Sequence, residues 1–216
     1  MLQIERDFER KYSACKDKLI SLWATYFDKF YNLLEKNLSP GDQLNDILMK
    51  SQSLNLNSKT VLQIWILIAL LAPKSVKIVI KTGDRRRAWK PTISESRDGI
   101  LVHCKIPGDI EQMCSQKQTK MSEMNLTMQP FIIVVGPEIT SIEKIYVRLD
   151  KTMYEMPSAL KAVDVLFKIF LTFNACYPKE CENFWYLIQW CVYEIHTDSD
   201  EKNSFICSIA NSLKQI

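Results

Sequence analysis

The stretch Gln129-Pro130-Phe131-Ile132-Ile133-Val134-Val135-Gly136-Pro137 constrains this chain more than any other. Residues 131 to 135 are apolar without interruption, bracketed by Pro130 on one side and Gly136-Pro137 on the other. A short strand that is apolar at every position leaves no face for water, so it must be covered on both sides.

The neighbouring sequence supplies the covering layers. Ile100-Leu101-Val102-His103-Cys104 reads as a strand. Gly108-Asp109 opens a helix to about Met121, with Ile110, Met113 and Met121 on its apolar side and Asp109 near its positive end. Strand, helix and strand in this order suit a βαβ unit with a right-handed crossover, and an antiparallel arrangement stays open. Lys144 to Leu149 alternates around Ile145, Val147 and Leu149. Asp150-Lys151 reads as a tight turn, and Thr152 to Met156 as the returning strand of a hairpin.

The ends of the chain are helical in pattern. Residues 4 to 36 read as one long amphipathic helix, with Leu19, Leu22, Trp23, Tyr26, Phe30, Leu33 and Leu34 at helical spacing. Ser39-Pro40-Gly41-Asp42 breaks it, and a short helix follows from Gln43 to Met49. Asn57-Ser58-Lys59-Thr60 offers capping side chains to a third helix over about 59–72, apolar around nearly its whole circumference and ended by Pro73. Beyond the hairpin, Pro157-Ser158 opens a helix with Leu160, Val163, Phe167, Phe170 and Leu171 on one face, closed by residues 174 to 178. Another helix is predicted over about 180–195, a loop over 196–202 and a terminal helix over 203–214. The expected fold is therefore α+β (mixed α/β): N-terminal helices, a small β-sheet with a βαβ unit and a hairpin, and C-terminal helices packed on it. Residues 1–73 form the helical region and 99–216 the mixed region, one compact unit together. Residues 74–98 form a basic connection, with an edge strand over Val76 to Lys81 and a turn at Thr82-Gly83-Asp84.

Composition narrows the function classes. With 216 residues, 47% of them apolar, the chain can bury a substantial core, and a formal charge of +3 is too small to imply nucleic acid or an anionic membrane by itself. The seven cysteines (15, 104, 114, 176, 181, 191 and 207) have neither framework spacing nor a C-x-x-C pair, which points to a reducing, intracellular setting. The charges at Glu5, Arg6, Asp7, Glu9 and Arg10 leave no apolar signal-peptide core. The run from Val61 to Pro73 is short for a membrane span and is interrupted by Gln63, so no membrane partner is expected.

Chemistry-bearing motifs are sparse. The five glycines form no phosphate-binding loop, and Gly136-Pro137 reads as a sharp exit turn, since proline removes an amide that an anion site would use. His103 and Cys104 are adjacent on a strand and point to opposite faces, which makes them a poor catalytic dyad. Cys176, Cys181 and His196 lack an obvious fourth metal ligand. No cofactor or metal is implied. Asp98, Asp109 and Glu138 stand near strand ends, as a metal-dependent nuclease would require if they converge.

The strongest binding candidate is the basic segment 74–90. Lys74, Lys77, Lys81, Arg85, Arg86, Arg87 and Lys90 stand against one acid, Asp84. Lys81, Arg85, Arg86, Arg87, Trp89 and Lys90 combine cationic groups with an aromatic plane, suited either to an acidic groove on a protein or to phosphates and a stacked base. The same residues also serve a solvated linker with Trp89 packed on the domain.

The chain also resembles an uncharacterised animal family that includes the C-terminal region of sterile alpha motif domain-containing protein 3-like proteins. The resemblance is carried by Trp89-Lys90-Pro91-Thr92-Ile93, Gly99 to His103, Gln129 to Pro137, the helix Ala162 to Lys168, Tyr177-Pro178, Trp185 and Tyr193-Glu194-Ile195. It covers residues 15 to 196 and implies no catalytic residues. Members often carry an interaction domain upstream, and this chain shows no evident sterile alpha motif. The expected function is that of a non-enzymatic protein-interaction module, with nucleic-acid binding through 74–90 and a divergent nuclease as the alternatives.

Overall fold

The computed structural model describes residues 2–35, 44–71, 73–79 and 86–215. Strand β4 (Phe131–Val135) lies inside a four-stranded sheet of order β3-β4-β5-β6. It pairs in parallel with β3 (Leu101–Cys104), Leu101 opposite Ile132 and Cys104 opposite Val135. Helix α6 (Ile110–Glu123) makes the crossover, so the βαβ unit is present. On its other side β4 runs antiparallel to β5 (Lys144–Leu149), which turns into β6 (Thr152–Glu155). The hairpin needs no glycine because Asp150 takes the left-handed conformation, at φ 53°, which aspartate tolerates better than most residues.

Alternation along β4 divides the core. Ile132 and Val134 join the main apolar cluster, while Phe131, Ile133 and Val135 join a smaller one with Cys104, Ile110 and Cys114. All five side chains of the strand are buried. At roughly 1.5–3 kcal/mol for each large apolar side chain fully removed from water, this strand is among the main sources of stability.

The N-terminal segment differs from the single helix expected over 4–36. It is two helices, α1 (Leu2–Lys11) and α2 (Lys18–Leu34), separated at Tyr12, whose backbone leaves helical geometry at φ −134° and ψ 49°. The break brings α1 alongside helix α7 (Ala159–Thr172), where the Phe8 ring meets those of Phe167 at 6.3 Å and Tyr193 at 5.8 Å.

A short helix α3 (Leu44–Ser51) precedes α4 (Leu56–Leu70). The cap of α4 is Asn55, whose side chain accepts from Ser58 N at 2.9 Å. The residues expected to cap it serve distant partners instead. Asn57 Oδ1 accepts from Ala159 N at 3.0 Å, and Ser58 Oγ accepts from Ile142 N at 3.3 Å. As expected from its apolar circumference, α4 is buried on nearly every side.

The stretch 74–98, read as an exposed connection, is structured where it is described. Strands β1 (Val76–Val79) and β2 (Arg86–Trp89) form an antiparallel ribbon. The turn expected at 82–84 lies outside the described residues. Helix α5 (Ile93–Ile100) follows, opened by a full capping box: Thr92 Oγ1 accepts from Glu95 N at 3.1 Å and Glu95 Oε2 accepts from Thr92 N at 2.7 Å. Its Ser96, Gly99 and Ile100 are buried.

At the C-terminal end, α8 (Glu182–Leu187) runs into a π-helical turn over Ile188–Tyr193, and α9 (Ser204–Leu213) closes the chain. The widened turn presents Gln189 and Trp190 to one carboxylate, Asp200, at 2.8 and 2.9 Å. Among the described residues, no helix is long and apolar enough to cross a membrane.

Candidate functional site

Two places concentrate chemistry. The first is the basic ribbon. Val76 stands opposite Trp89 and Ile78 opposite Arg87, so positions 76, 78, 87 and 89 share one face of the ribbon by register. Ile78 is buried and Trp89 half-buried, which makes this the inward face, while Lys77 and Lys90 are exposed. The Trp89 ring is thus only partly open to solvent. The backbones of Arg86 and Arg87 lie in β2; Lys81 and Arg85 lie outside the described residues. Lys74 is drawn off to Glu182 at 3.7 Å. Among the described residues, neither β1 nor β2 pairs with any strand of the larger sheet.

The second place is a cleft of about 240 Å³ between α6 and the turn joining α7 to α8. Two left-handed residues shape its walls. Asn125, at φ 54°, ends α6, with Leu126 N donating to Met121 O at 2.8 Å. Asn174, at φ 50°, ends α7, with Ala175 N donating to Phe170 O at 2.9 Å. The first reversal leads the chain to Gln129 and the second to Tyr177-Pro178, and all three line the cleft.

Lys117 and Glu180 are the charged groups of interest there. Lys117 projects from α6, donates from Nζ to Asp98 O at 2.7 Å and lies 5.0 Å from the centre of the Phe131 ring. The side chain as a whole is half-buried, yet desolvation of its ammonium holds its pKa below the usual lysine value, against the pull of Glu180 and Asp98. Glu180 is 4% exposed. Burial raises its carboxyl above the usual glutamate range, opposed by Lys117 and by its own backbone N–H. Among the described residues, no cation comes within 4.0 Å of the Glu180 carboxylate. Gly99 leaves room for the stem of Glu180, since any Cβ at 99 would collide with it.

Other groups with catalytic potential are occupied or dispersed. His103 Nε2 is 2.8 Å from Gly136 O, and Cys104 Sγ donates to Ile106 O at 3.0 Å. Gly136 is a turn residue: its Cβ would lie 2.1 Å from Ser141 O, where the chain folds back so that Glu143 N reaches Val135 O. The three acids of the nuclease alternative do not converge. Asp98 precedes β3 and Asp109 follows it, so a strand of four residues, on the order of 10 Å at ~3.3 Å per residue, separates them. Glu138 sits beyond β4, accepting from Thr140 Oγ1 at 3.1 Å. Among the described residues, no group of three or more His, Cys, Asp or Glu side chains is placed to hold a metal ion, the set Cys176, Cys181 and His196 included.

Sequence reasoning passed over Lys117 and Glu180. They are remote in the chain, and nothing local marks either one. Gly99, the glycine whose close approach to Glu180 marks the place, lies in α5, a helix the sequence pattern did not reveal. Comparison of the chain with family models, with curated proteins and with solved structures found no match.

Proposed function

We propose that this chain is a non-enzymatic protein-interaction module whose contact element is the β1–β2 ribbon, and that its partner is an extended acidic segment of another protein. One observation carries the reading: a two-stranded ribbon, rich in Lys and Arg, that pairs with no other strand among the described residues. A two-stranded sheet has an open edge on each strand, which can accept a further strand through backbone hydrogen bonds. The surrounding cations favour acidic side chains on that strand and speed its encounter. The half-buried Trp89 favours protein over nucleic acid, since base stacking needs an open ring face. The resemblance to the sterile alpha motif domain-containing protein 3-like family assigns no residue a role and adds nothing to this choice.

Fluorescence anisotropy with a labelled extended peptide of alternating Glu and Val, set against a labelled single-stranded oligonucleotide of equal charge, tests the proposal. The peptide is expected to bind more tightly. Replacing Lys77, Arg86, Arg87 and Lys90 by Glu together is expected to weaken it at least about tenfold. Tighter binding of the oligonucleotide, with a steep loss in salt, would transfer the site to nucleic acid. No binding of either would end the reading.

A further inference from the structure

The cleft beside α6 holds two opposite charges that form no ion pair within 4.0 Å. Lys117 Nζ uses one of its three donors on Asp98 O, at 2.7 Å. The Glu180 carboxylate, on a residue 4% exposed, has no side-chain partner among the described residues. The two groups attract one another across the cleft without forming an ion pair within 4.0 Å. Lys117 is held by the Asp98 carbonyl and the Phe131 ring, and the stem of Glu180 lies close to Gly99. Glu180 is met by its own backbone N–H and, at longer range, by Lys117, so each desolvated charge keeps capacity for a directly bonded ligand group of opposite sign.

The rest of the lining sets size and character. A volume of about 240 Å³ falls below the ~300 Å³ at which pockets for drug-sized ligands begin, which leaves room for a small metabolite. Met121, Leu126 and Tyr177 give apolar wall, while Gln129 and Thr127 supply hydrogen-bonding groups at the rim.

We infer that this cleft binds a small zwitterion, an α-amino acid with an apolar side chain, with its carboxylate on Lys117, its ammonium on Glu180 and its side chain against Met121, Leu126 and Tyr177. The depressed lysine and elevated glutamate pKa values have the same origin, desolvation of both groups beside the cleft. This site is separate from the β1–β2 ribbon and stands or falls apart from it.

Isothermal titration of the full chain with leucine, methionine and phenylalanine tests the inference. Each amino acid is compared with its N-acetyl form, which keeps only the anion, and with its amide, which keeps only the cation. At least one free amino acid is expected to bind, with both blocked forms weaker by tenfold or more. Lys117→Met should abolish the preference for a free carboxylate, and Glu180→Gln the preference for a free ammonium. Two-dimensional NMR of the unmutated protein provides a readout independent of variant folding: the amides of Gly99, Lys117, Gln129 and Glu180 should shift with the free amino acid. No shift and no heat with any of the three amino acids would overturn the site. Equal binding of the N-acetyl form, unaffected by Glu180→Gln, would overturn the zwitterion assignment.

Discussion

Tyr193 donates its hydroxyl hydrogen to Asp164 Oδ1 at 2.5 Å, and both residues are fully buried. Asp164 is the hub of a charged network inside the main core. Its Oδ2 accepts from Lys168 Nζ at 2.8 Å and Lys161 Nζ at 3.0 Å, and Lys168 also donates to Lys16 O at 2.6 Å. The network fastens α7 to the α1–α2 break and to the π-helical turn. Removing one partner leaves the others buried without compensation. Asp164→Ala is expected to cost about 3–5 kcal/mol, and Tyr193→Phe, which deletes one hydrogen bond, about 1–2 kcal/mol. Urea denaturation of the two variants checks both the size and the order.

Gly99→Ala should also be destabilising, although alanine is the better helix former. Its Cβ would lie 2.6 Å from Glu180 Cγ and 3.0 Å from Cys181 Sγ, so the α5 backbone or the 178–181 turn must shift. Overpacking of this kind costs about 1–3 kcal/mol. Glu180→Ala removes the closer obstacle, and the penalty for Gly99→Ala should shrink in that background. A double-mutant cycle on denaturation midpoints measures the coupling.

The Glu180 carboxyl sets a pH dependence of definite sign. Burial is the main cause of its upward shift from the ordinary glutamate value of 4.5. Between that value and the raised folded value, the folded chain holds a proton the unfolded chain has lost, so this group's contribution to stability falls as pH rises through the interval. Above the interval the penalty is complete. Glu180→Gln, which cannot ionise, is expected to melt higher than the unmutated chain near pH ~7 and to match it near pH ~4. Calorimetry across that range is the check, and a gain appearing only on the acid side would contradict it.

The seven cysteines should divide by reactivity. Cys176 and Cys207 are exposed and Cys15 is half-buried, whereas Cys104, Cys114, Cys181 and Cys191 are buried. Burial raises the thiols of Cys114 and Cys181, and pushes that of Cys191 up to about 12. Because the thiolate is the reactive form, an Ellman titration should find Cys176 and Cys207 fast, Cys15 slower and the remainder silent until denaturant is added.

Features of the fold that depend on local pattern were legible in the sequence. The run from Phe131 to Val135 and the alternation of Ile145, Val147 and Leu149 located the middle of the sheet. The break at Tyr12 was not legible, because nothing in residues 12 to 17 forbids a helix; the pull comes from Phe8 seating beside Phe167 and Tyr193. Helix α5 was hidden by its polar composition, although Thr92 and Glu95 spelled out a capping box three residues apart. The cleft depended on tertiary structure alone, since Lys117 and Glu180 meet only after the reversals at Asn125 and Asn174.

The unequal division of the core on the two sides of β4 has a dynamic consequence. The face bearing Phe131, Ile133 and Val135 is closed by the small cluster containing Ile110 and Cys114 of α6. A layer with so little buried surface opens at lower free energy than the whole molecule, so α6 should exchange its amide hydrogens ahead of α7. Lys117 travels with α6 and Glu180 stays with the C-terminal helices, which places the cleft on the seam between them. A molecule bridging those two charges would act as a latch, and its concentration would be read out as the rate at which that seam comes apart.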